Sequence, residues 1–325
     1  MKQVLWLVDK IAPYVIPISV IIGVVISEYI ITYAWLIPWI FAFMTFAGSI
    51  NSNFSSFKDV ILHPFSIFLA MITLHIIMPL FALGMGHIFY SGNTYIITGL
   101  VLALAIPTGI TSFVWVAICK GNNALALTVI LLDSILSPLI VPFTLQLLVG
   151  GTVQIDSFQL MVGLFWMIVV PSIVGMLLNE ITKGKILKVS ATLGTSSKIG
   201  LSVVVMLNGA VVAPYLVSAK FNLFGLGCLV FFLAVSGYFV AYFVAKISKQ
   251  RDDHIIALTF LGGMRNISTG VVLATSFFPP LVALPVVLGM LFQQVIASFF
   301  GRFFQRSQAN ERYILKEGDS HFENH

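Results

Sequence analysis

The chain has few charged residues and almost no cysteine. Of its 325 residues only 9% are Asp, Glu, Lys or Arg, and there are two cysteines, Cys119 and Cys228. Two cysteines build neither a disulfide framework nor a metal cluster, so both are interpreted as small apolar residues. The low charge content also excludes an ordinary soluble domain, in which about a quarter of the residues are charged.

Apolar residues take the place of the missing charges. Hydrophobic residues make up 59% of the chain, 28 residues are Phe, and the mean hydropathy is +1.03. About 20 apolar residues are enough to cross a bilayer. Ten such stretches lie at 11–29, 33–50, 65–90, 95–118, 123–149, 159–179, 199–217, 222–245, 255–276 and 281–300. The sequence therefore predicts an all-α polytopic membrane protein, with residues 1–325 as one membrane domain and 302–325 as a cytoplasmic tail.

The basic residues indicate how the chain is oriented in the membrane. With ten spans, 15 of the 17 Lys and Arg residues fall on the same side of the membrane as both termini. Lys220 lies on the other side, and Arg265 lies within the membrane. Loops rich in Lys and Arg stay in the cytoplasm, so we expect both termini in the cytoplasm. This asymmetry accounts for the pI of about 9.2. No basic stretch interleaved with aromatic residues indicates a nucleic-acid partner.

The fourth and ninth predicted spans are interrupted by polar segments that contain glycine. These segments are residues 107–112 in the fourth span and 262–270 in the ninth. Backbone leaves the helix inside a membrane only where protein or a watery cavity satisfies it, so the breaks indicate a buried binding cavity. Because five is odd, a second set of five spans would be inverted, and the matching breaks predict two inverted five-helix repeats.

Arg265 in the ninth-span break and Asp133 in the fifth span are the two clearest charged residues within the long apolar stretches. Such residues are rare in hydrocarbon, and each is a candidate functional residue. The structural alternatives are an ion pair or snorkelling side chain for Arg265 and a neutral, hydrogen-bonded acid for Asp133. His75 in the third span is interpreted as a hydrogen-bonded core residue, with a proton relay as the alternative.

Further polar residues around the breaks complete the candidate substrate and coupling site. They are Thr108, Thr111, Ser112, Asn266, Ser268 and Thr269, with Gln293 and Gln294 in the tenth span. The half-helices would point positive N-terminal ends at the site, which together with Arg265 favours a carboxylate or sulfonate substrate. No His, Glu and Asp cluster has the spacing of metal ligands, so we expect no metal site, no cofactor and no membrane enzyme.

Several motifs, in order along the whole chain, resemble the bile acid:sodium symporter family. They are Phe46-Ala47-Gly48-Ser49-Ile50 with Phe54 and His63-Pro64, Ile77-Met78-Pro79, Pro107-Thr108-Gly109-Ile110-Thr111-Ser112 with Lys120-Gly121-Asn122, and Ser137-Pro138. In the ninth span, Gly263-Met264-Arg265-Asn266 resembles the family's Gly-Met-Gln-Asn.

The resemblance implies a ten-helix fold in which the broken fourth and ninth helices cross. It also implies a panel of spans one, two, six and seven and a core of spans three to five and eight to ten. Members carry bile acids or other organic anions, commonly with two sodium ions, and transport would be alternating access by motion of core against panel. By this resemblance Asn266 helps to hold the substrate, while Gln293 and Gln294 lie near the core site.

The chain departs from the family pattern at the sodium sites. One site in the pattern uses a Ser-Asn pair, fifth-span hydroxyls and a Glu before Gly-Met-Gln-Asn. Here Ser112 is kept, whereas Phe113, Ala126, Ile130 and Leu261 stand at the other positions. The second site shares that Glu, uses the Gln now replaced by Arg265, and adds a third-span Gln that falls near Leu74 or His75. A hard cation needs oxygen ligands, so sodium is expected from the family but its ligands are largely missing.

Arg265 would therefore place a fixed cation where the family binds an exchangeable one. Asp133 lies three residues after Ile130, so helical spacing would put it on the same face, within reach of the guanidinium. We expect an Arg265–Asp133 pair, or Arg265 and the substrate, to replace the sodium charge.

That replacement would make the protein a sodium-independent carrier, an exchanger, or a proton-coupled transporter with Asp133 as the titrating group. The alternatives are a sodium-coupled symporter with unrecognised ligands and a channel or non-transporting membrane sensor of the same fold. The expected partners are a small organic anion and the lipid bilayer.

Overall fold

The computed structural model describes residues 18–50, 64–151, 153, 155–183, 186–217 and 223–322. These residues form helices joined by short turns. The helices are α1 (18–25), α2 (Ile37–Ser49), α3 (Pro64–Tyr90), α4 (Thr94–Ala105), α5 (Thr111–Ile118), α6 (Asn123–Val149), α7 (Ser157–Ile181), α8 (Leu187–Val217), α9 (Leu223–Ile247), α10 (Asp252–Gly263), α11 (Ile267–Phe277) and α12 (Ala283–Phe322). A short α-helix, Ser27–Ile30, and a 3-10 helix, Ile31–Leu36, precede α2, and a 3-10 turn, Pro280–Val282, precedes α12.

Seven helices of the described residues are long and apolar enough to cross a membrane. They are Ser27–Ser49, α3, α6, α7, Thr192–Pro214 within α8, α9, and Pro280–Arg306. Large apolar side chains such as Phe143 and Phe232 are exposed on them, as lipid contact requires. The protein is therefore an all-helical integral membrane protein. The count of ten spans stays a prediction, since residues 11–17 of the first span lie outside the described part.

Asn and Asp side chains fix where four of the helices begin. The side chains of Asn93, Asn122, Asp156 and Asn266 accept a backbone hydrogen bond from the first turn of α4, α6, α7 and α11. These caps satisfy amides that have no partner within the helix. Two of the capped helices, α4 and α11, are halves of the predicted broken spans.

The two predicted interruptions are present but shorter than the sequence predicted. The first occupies 106–110, so Thr111 and Ser112 belong to the first turn of α5, where Ser112 N donates to Gly109 O at 2.9 Å. The second occupies 264–266, because the Asn266 cap starts α11 at once. Within the predicted tail, α12 continues as a helix to Phe322.

The broken helices lie between two groups of packed helices. In one group, α2 packs against α7 and α8. In the other group, α9 packs against α10 and α12, and α4 packs against α3, α6 and α12. Apolar residues of these helices form two buried clusters. This packing places both breaks in the interior of the protein.

Candidate substrate and coupling site

The two breaks meet through their backbones. Thr108 and Arg265 form an isolated antiparallel bridge, and beside it Gly109 N donates to Met264 O at 3.1 Å. A β-carbon on Gly109 would lie 2.9 Å from Arg265 O, so this approach needs glycine. The bridge satisfies backbone groups that leave their helices inside the membrane, where lipid offers no hydrogen-bond partner.

The Thr108 side chain adds to this junction. Its hydroxyl lies 2.9 Å from Leu261 O and 2.8 Å from Met264 O, so it donates to the carbonyls that end α10. On the other side, Asn266 N donates to Pro107 O at 2.8 Å. Helix ends leave carbonyls without partners, and here one break supplies the donors for the other.

Arg265 is the buried cation of the junction. It is 3% exposed, and Nε, Nη1 and Nη2 have no hydrogen-bond partner among the described residues. Its backbone N donates to Gln293 Oε1 at 3.1 Å, which holds the main chain in place but not the guanidinium. A buried charge without hydrogen bonds costs roughly several kcal/mol. The guanidinium therefore has donors available for an acceptor that this part of the chain does not supply.

Asp133 does not form the predicted hydrogen-bonded pair with Arg265. It is 0% exposed, its Oδ1 lies 2.7 Å from His75 Nε2, and its Oδ2 accepts from Thr108 N at 2.7 Å. Arg265 and Asp133 interact through space only. Both carboxylate oxygens are thus engaged elsewhere, which corrects the pairing expected from helical spacing.

The shape of α3 explains why His75 reaches Asp133. Residues Thr73–Ile77 form a π-helical turn, and Pro79 follows directly after Met78. Proline has no N–H, so Pro79 cannot donate the α-helical hydrogen bond to the His75 carbonyl, and the helix widens there. Helical spacing alone does not predict this widening, and for that reason the His75–Asp133 contact was not predicted.

A cavity of about 250 Å³ lies beside the junction. Residues of α2, α7 and α8 line one side of it, and the breaks with α6 and α12 line the other. Among the described residues that line it, Arg265 is the only ionisable one. The remaining walls are apolar side chains, amides and hydroxyls.

The structure divides the predicted site residues into two groups. Those that line the cavity are Thr108, Thr111, Arg265, Asn266, Ser268, Gln293 and Gln294. The others, His75, Ser112, Asp133 and Thr269, are buried away from the cavity lining. The Ser112 hydroxyl donates to Gly109 O at 2.7 Å, so it holds the break rather than facing the cavity.

Sequence reasoning missed the hydroxyls on the α2 and α7 side of the cavity. Ser49 donates to Ser172 at 3.2 Å, and both line the cavity together with Thr45, Ser134 and Ser197. Isolated hydroxyl residues within apolar spans were the available signal. Hydroxyls need partners in such surroundings, so these residues could have been added to the candidates.

The positions that the family resemblance associates with sodium are apolar and packed. Leu74, Ala126, Ile130 and Leu261 belong to one buried cluster, each no more than 4% exposed, and Phe113 packs against it. Within the described ranges, no group of three or more His, Cys, Asp and Glu could hold a metal ion. Alkyl groups therefore occupy the positions at which the family pattern has oxygen ligands.

Broken helices that meet beside a polar cavity inside a bundle of membrane helices define a polytopic membrane transporter. The profile of the Sodium Bile acid symporter family matches residues 38–219, more than half of the chain. The chain belongs to this family, as its motifs predicted, and it is a transporter and not an enzyme.

Relatives in bacteria and plants agree with this assignment. The chain is 48% identical over 295 residues to the uncharacterized protein YbaS of Bacillus subtilis (strain 168), covering 90% of this chain and 96% of that protein. It is 23% identical over 291 residues to the uncharacterized sodium-dependent transporter YocS of the same organism, covering 86% and 88%. It is 24% identical over 313 residues to the probable chloroplastic sodium/metabolite cotransporter BASS2 of Oryza sativa subsp. japonica, covering 93% and 73%.

Proposed function

We propose that the protein is a secondary transporter that moves an organic anion, a carboxylate or sulfonate, without sodium. The observation that supports this proposal is the Arg265 guanidinium, which is buried beside the cavity and has no hydrogen-bond partner among the described residues. Arginine stays protonated and donates two parallel hydrogen bonds to planar anions. An anion at this place supplies the acceptors that the cation lacks.

Two helix ends add to the attraction for an anion. The helix α5 begins at Thr111 and α11 begins at Ile267, and both residues line the cavity. The N-terminal end of a helix carries a partial positive charge. Together with Arg265 they make this part of the cavity positive, which favours a negatively charged substrate.

Sodium independence follows from the same residues. A sodium ion at the family position would meet the packed side chains of Leu74, Ala126 and Leu261 instead of oxygen ligands. It would also be repelled by Arg265, with no carboxylate from position 261 to offset the repulsion. The fixed guanidinium thus takes the electrostatic role of the exchangeable cation.

Alternating access is the transport mode that the packing suits. On one side of the cavity, α2 packs against α7 and α8, and on the other the broken helices pack with α6 and α12. We infer that these two groups move against each other as the panel and core of the inverted-repeat fold. The cavity between them would then open to either side of the membrane in turn.

Exchange in proteoliposomes tests this function. Proteoliposomes that contain the purified protein are loaded with one unlabelled organic anion. Uptake of the labelled form of that anion is then measured in sodium and in choline media. We expect equal uptake in both media and a loss of at least about tenfold for Arg265→Gln, which corresponds to roughly 1.4 kcal/mol of anion binding. Arg302→Gln removes the same charge from an exposed position of α12 and should leave uptake unchanged.

The names of the family and of the relative YocS favour a second candidate, a sodium-coupled symporter with other ligands. Uptake that requires sodium would establish this candidate and refute the first. Sodium-independent uptake that survives in Arg265→Gln would refute the role assigned to the guanidinium. A channel or sensor of the same fold is distinguished by its failure to exchange the anion or to concentrate it.

The membrane orientation is part of the proposal. The basic loops predict that both termini lie in the cytoplasm of a bacterial-type cell. Reporter fusions at each terminus, one active in the cytoplasm and one active outside it, give opposite results for the two orientations. Activity of the external reporter at either terminus would overturn the predicted topology.

A further inference from the structure

His75, Asp133 and Thr108 form a chain of hydrogen bonds from α3 to the junction of the breaks. The His75 Nε2 to Asp133 Oδ1 distance is 2.7 Å, and Thr108 N lies 2.7 Å from Asp133 Oδ2. The His75 and Asp133 side chains are 6% and 0% exposed. Anion binding at Arg265 does not use this pair, so its place beside the junction needs another explanation.

One atom of the pair can take up a proton. Because the backbone N–H of Thr108 can only donate, Asp133 Oδ2 accepts from it, and a carboxylate that also accepts at Oδ1 takes a hydrogen bond from the Nε2–H of His75. The other ring nitrogen, Nδ1, is buried and has no hydrogen-bond partner among the described residues. In the neutral ring Nδ1 holds a lone pair, so a second proton binds there and the imidazolium charge lies against Asp133.

The charged and titratable groups around His75 come from the neighbouring helices. The helices packed on the π-helical turn are α4, α6 and α9. Their titratable residues are Tyr95 of α4, Asp133 of α6, and Cys228, Tyr238, Tyr242 and Lys246 of α9, and of these Asp133 is hydrogen-bonded to His75. From the junction, Arg265 acts on Asp133 through space. With neutral His75 the formal charges of Arg265 and Asp133 cancel.

We propose that the His75–Asp133 pair is the proton-binding site of the transporter, and that one proton and one monovalent anion bind together. A proton alone would leave the interior with one uncompensated positive charge, and an anion alone would leave one negative charge. Both are unfavourable away from water, whereas joint binding keeps the sum at zero. This inference rests on the proposed function, because it assumes that an anion binds beside Arg265.

A direct physical link connects the two sites. The Thr108 amide donates to Asp133 Oδ2, and Thr108 is bridged to Arg265 in the neighbouring break. When His75 is protonated, part of the Asp133 charge is compensated and its hydrogen bond to Thr108 N weakens. Thr108 and Arg265 both line the cavity, so proton binding reaches the anion through one backbone bridge, and by linkage each ligand promotes the other.

Proton-driven uptake into proteoliposomes is the test. The probes are labelled ethanesulfonate, pyruvate and taurocholate, and uptake by protein-free liposomes is subtracted. For the probe that the wild type exchanges, an outside pH one unit below the inside should drive accumulation towards about tenfold. A membrane potential set with potassium and valinomycin should not change it, because the loaded protein gains no net charge.

Variants separate the proton site from the anion site. His75→Gln should lose the accumulation driven by acid, and its exchange at equal pH should no longer rise when both sides of the membrane are acidified. His87→Gln, an exposed histidine of the same helix, should keep both activities. If His75→Gln does not fold, the wild-type dependence on the pH gradient and on potential decides the matter.

The possible results have distinct meanings. Wild-type exchange that ignores the pH gradient overturns the proton site and leaves the proposed function intact, as does acid-driven accumulation that persists in His75→Gln. Absence of wild-type exchange for all three probes overturns the proposed function and this inference with it. Acid-driven, potential-independent accumulation that His75→Gln abolishes supports both.

Discussion

Replacing Thr108 by Val tests how the two breaks hold each other. The variant keeps the shape of the side chain but removes the hydroxyl that lies 2.9 Å from Leu261 O and 2.8 Å from Met264 O. Met264 O still accepts from Gly109 N, whereas Leu261 O is left at the end of α10 without this donor. The effect of the change is therefore confined to the junction.

The expected cost can be worked out from these contacts. A buried acceptor that loses its partner costs about 1–3 kcal/mol. This cost applies here because Thr108 is 1% exposed, so water does not replace the hydroxyl. We expect the melting temperature in detergent to fall by at least about 2 °C. Thr108→Ser retains the hydroxyl and should lose less.

A second threonine provides the matched comparison. Thr259 is 0% exposed in α10, and its hydroxyl donates to Ile255 O at 2.7 Å, a carbonyl of the preceding turn of the same helix. Ile255 O keeps its helical N–H partner in Thr259→Val, so this variant should unfold close to wild type. Size-exclusion chromatography after heating measures both proteins. Equal stability of Thr108→Val and Thr259→Val would refute the role assigned to the Thr108 hydroxyl.

Three further variants test other contacts. Gly263→Ala places a β-carbon 2.3 Å from the Tyr238 ring, so we expect a loss of about 1–3 kcal/mol and a lower yield of folded protein. Asn122→Asp puts a carboxylate where Asn122 Nδ2 now donates to Asp253 Oδ2 at 3.0 Å, and it should lower the melting temperature measurably above pH 6. Leu261→Glu adds a carboxylate at the end of α10 that competes for Arg265, and anion exchange should fall at least about tenfold, whereas Leu261→Gln should be less affected.

Each of these variants has a counterpart that lacks the contact in question. Gly227→Ala introduces the same methyl group where no atom lies within 4 Å and should be neutral. Asn93→Asp changes a cap of the same kind at α4 and should tolerate the charge, which suits a helix N-terminus. If Gly227→Ala is as harmful as Gly263→Ala, or Asn93→Asp as harmful as Asn122→Asp, the contacts described are not the cause.

Much of the fold could be predicted from the sequence because its signals are local. Long apolar stretches predicted the membrane helices, and the polar glycine segments predicted both interruptions. Arg265 was identified because a charge within a break is unusual in any membrane span. The extent of the breaks was overestimated, since Asn266 caps α11 as soon as the second break ends, and composition does not reveal a cap that acts within three residues.

The partners within the site could not be predicted in the same way. Helical spacing placed Asp133 on a plausible face but assumed regular helices, whereas the π-helical turn before Pro79 brings His75 to it instead. Thr108 was one polar residue among several, and its role depends on the crossing of segments more than 150 residues apart along the chain. Contacts between distant segments depend on tertiary packing, which a single sequence does not specify.

The apolar cluster around Leu261 also constrains how this chain can evolve. An ion site there would require several residues to change together, because each of them is buried or packs against the buried cluster. These residues are Phe113, Ala126, Ile130, Leu261 and Arg265. A single polar replacement in this cluster would leave a buried group unsatisfied, at a cost of about 1–3 kcal/mol. An ion site at this place therefore requires several substitutions made together, and each of them made alone is expected to lower the stability of the protein.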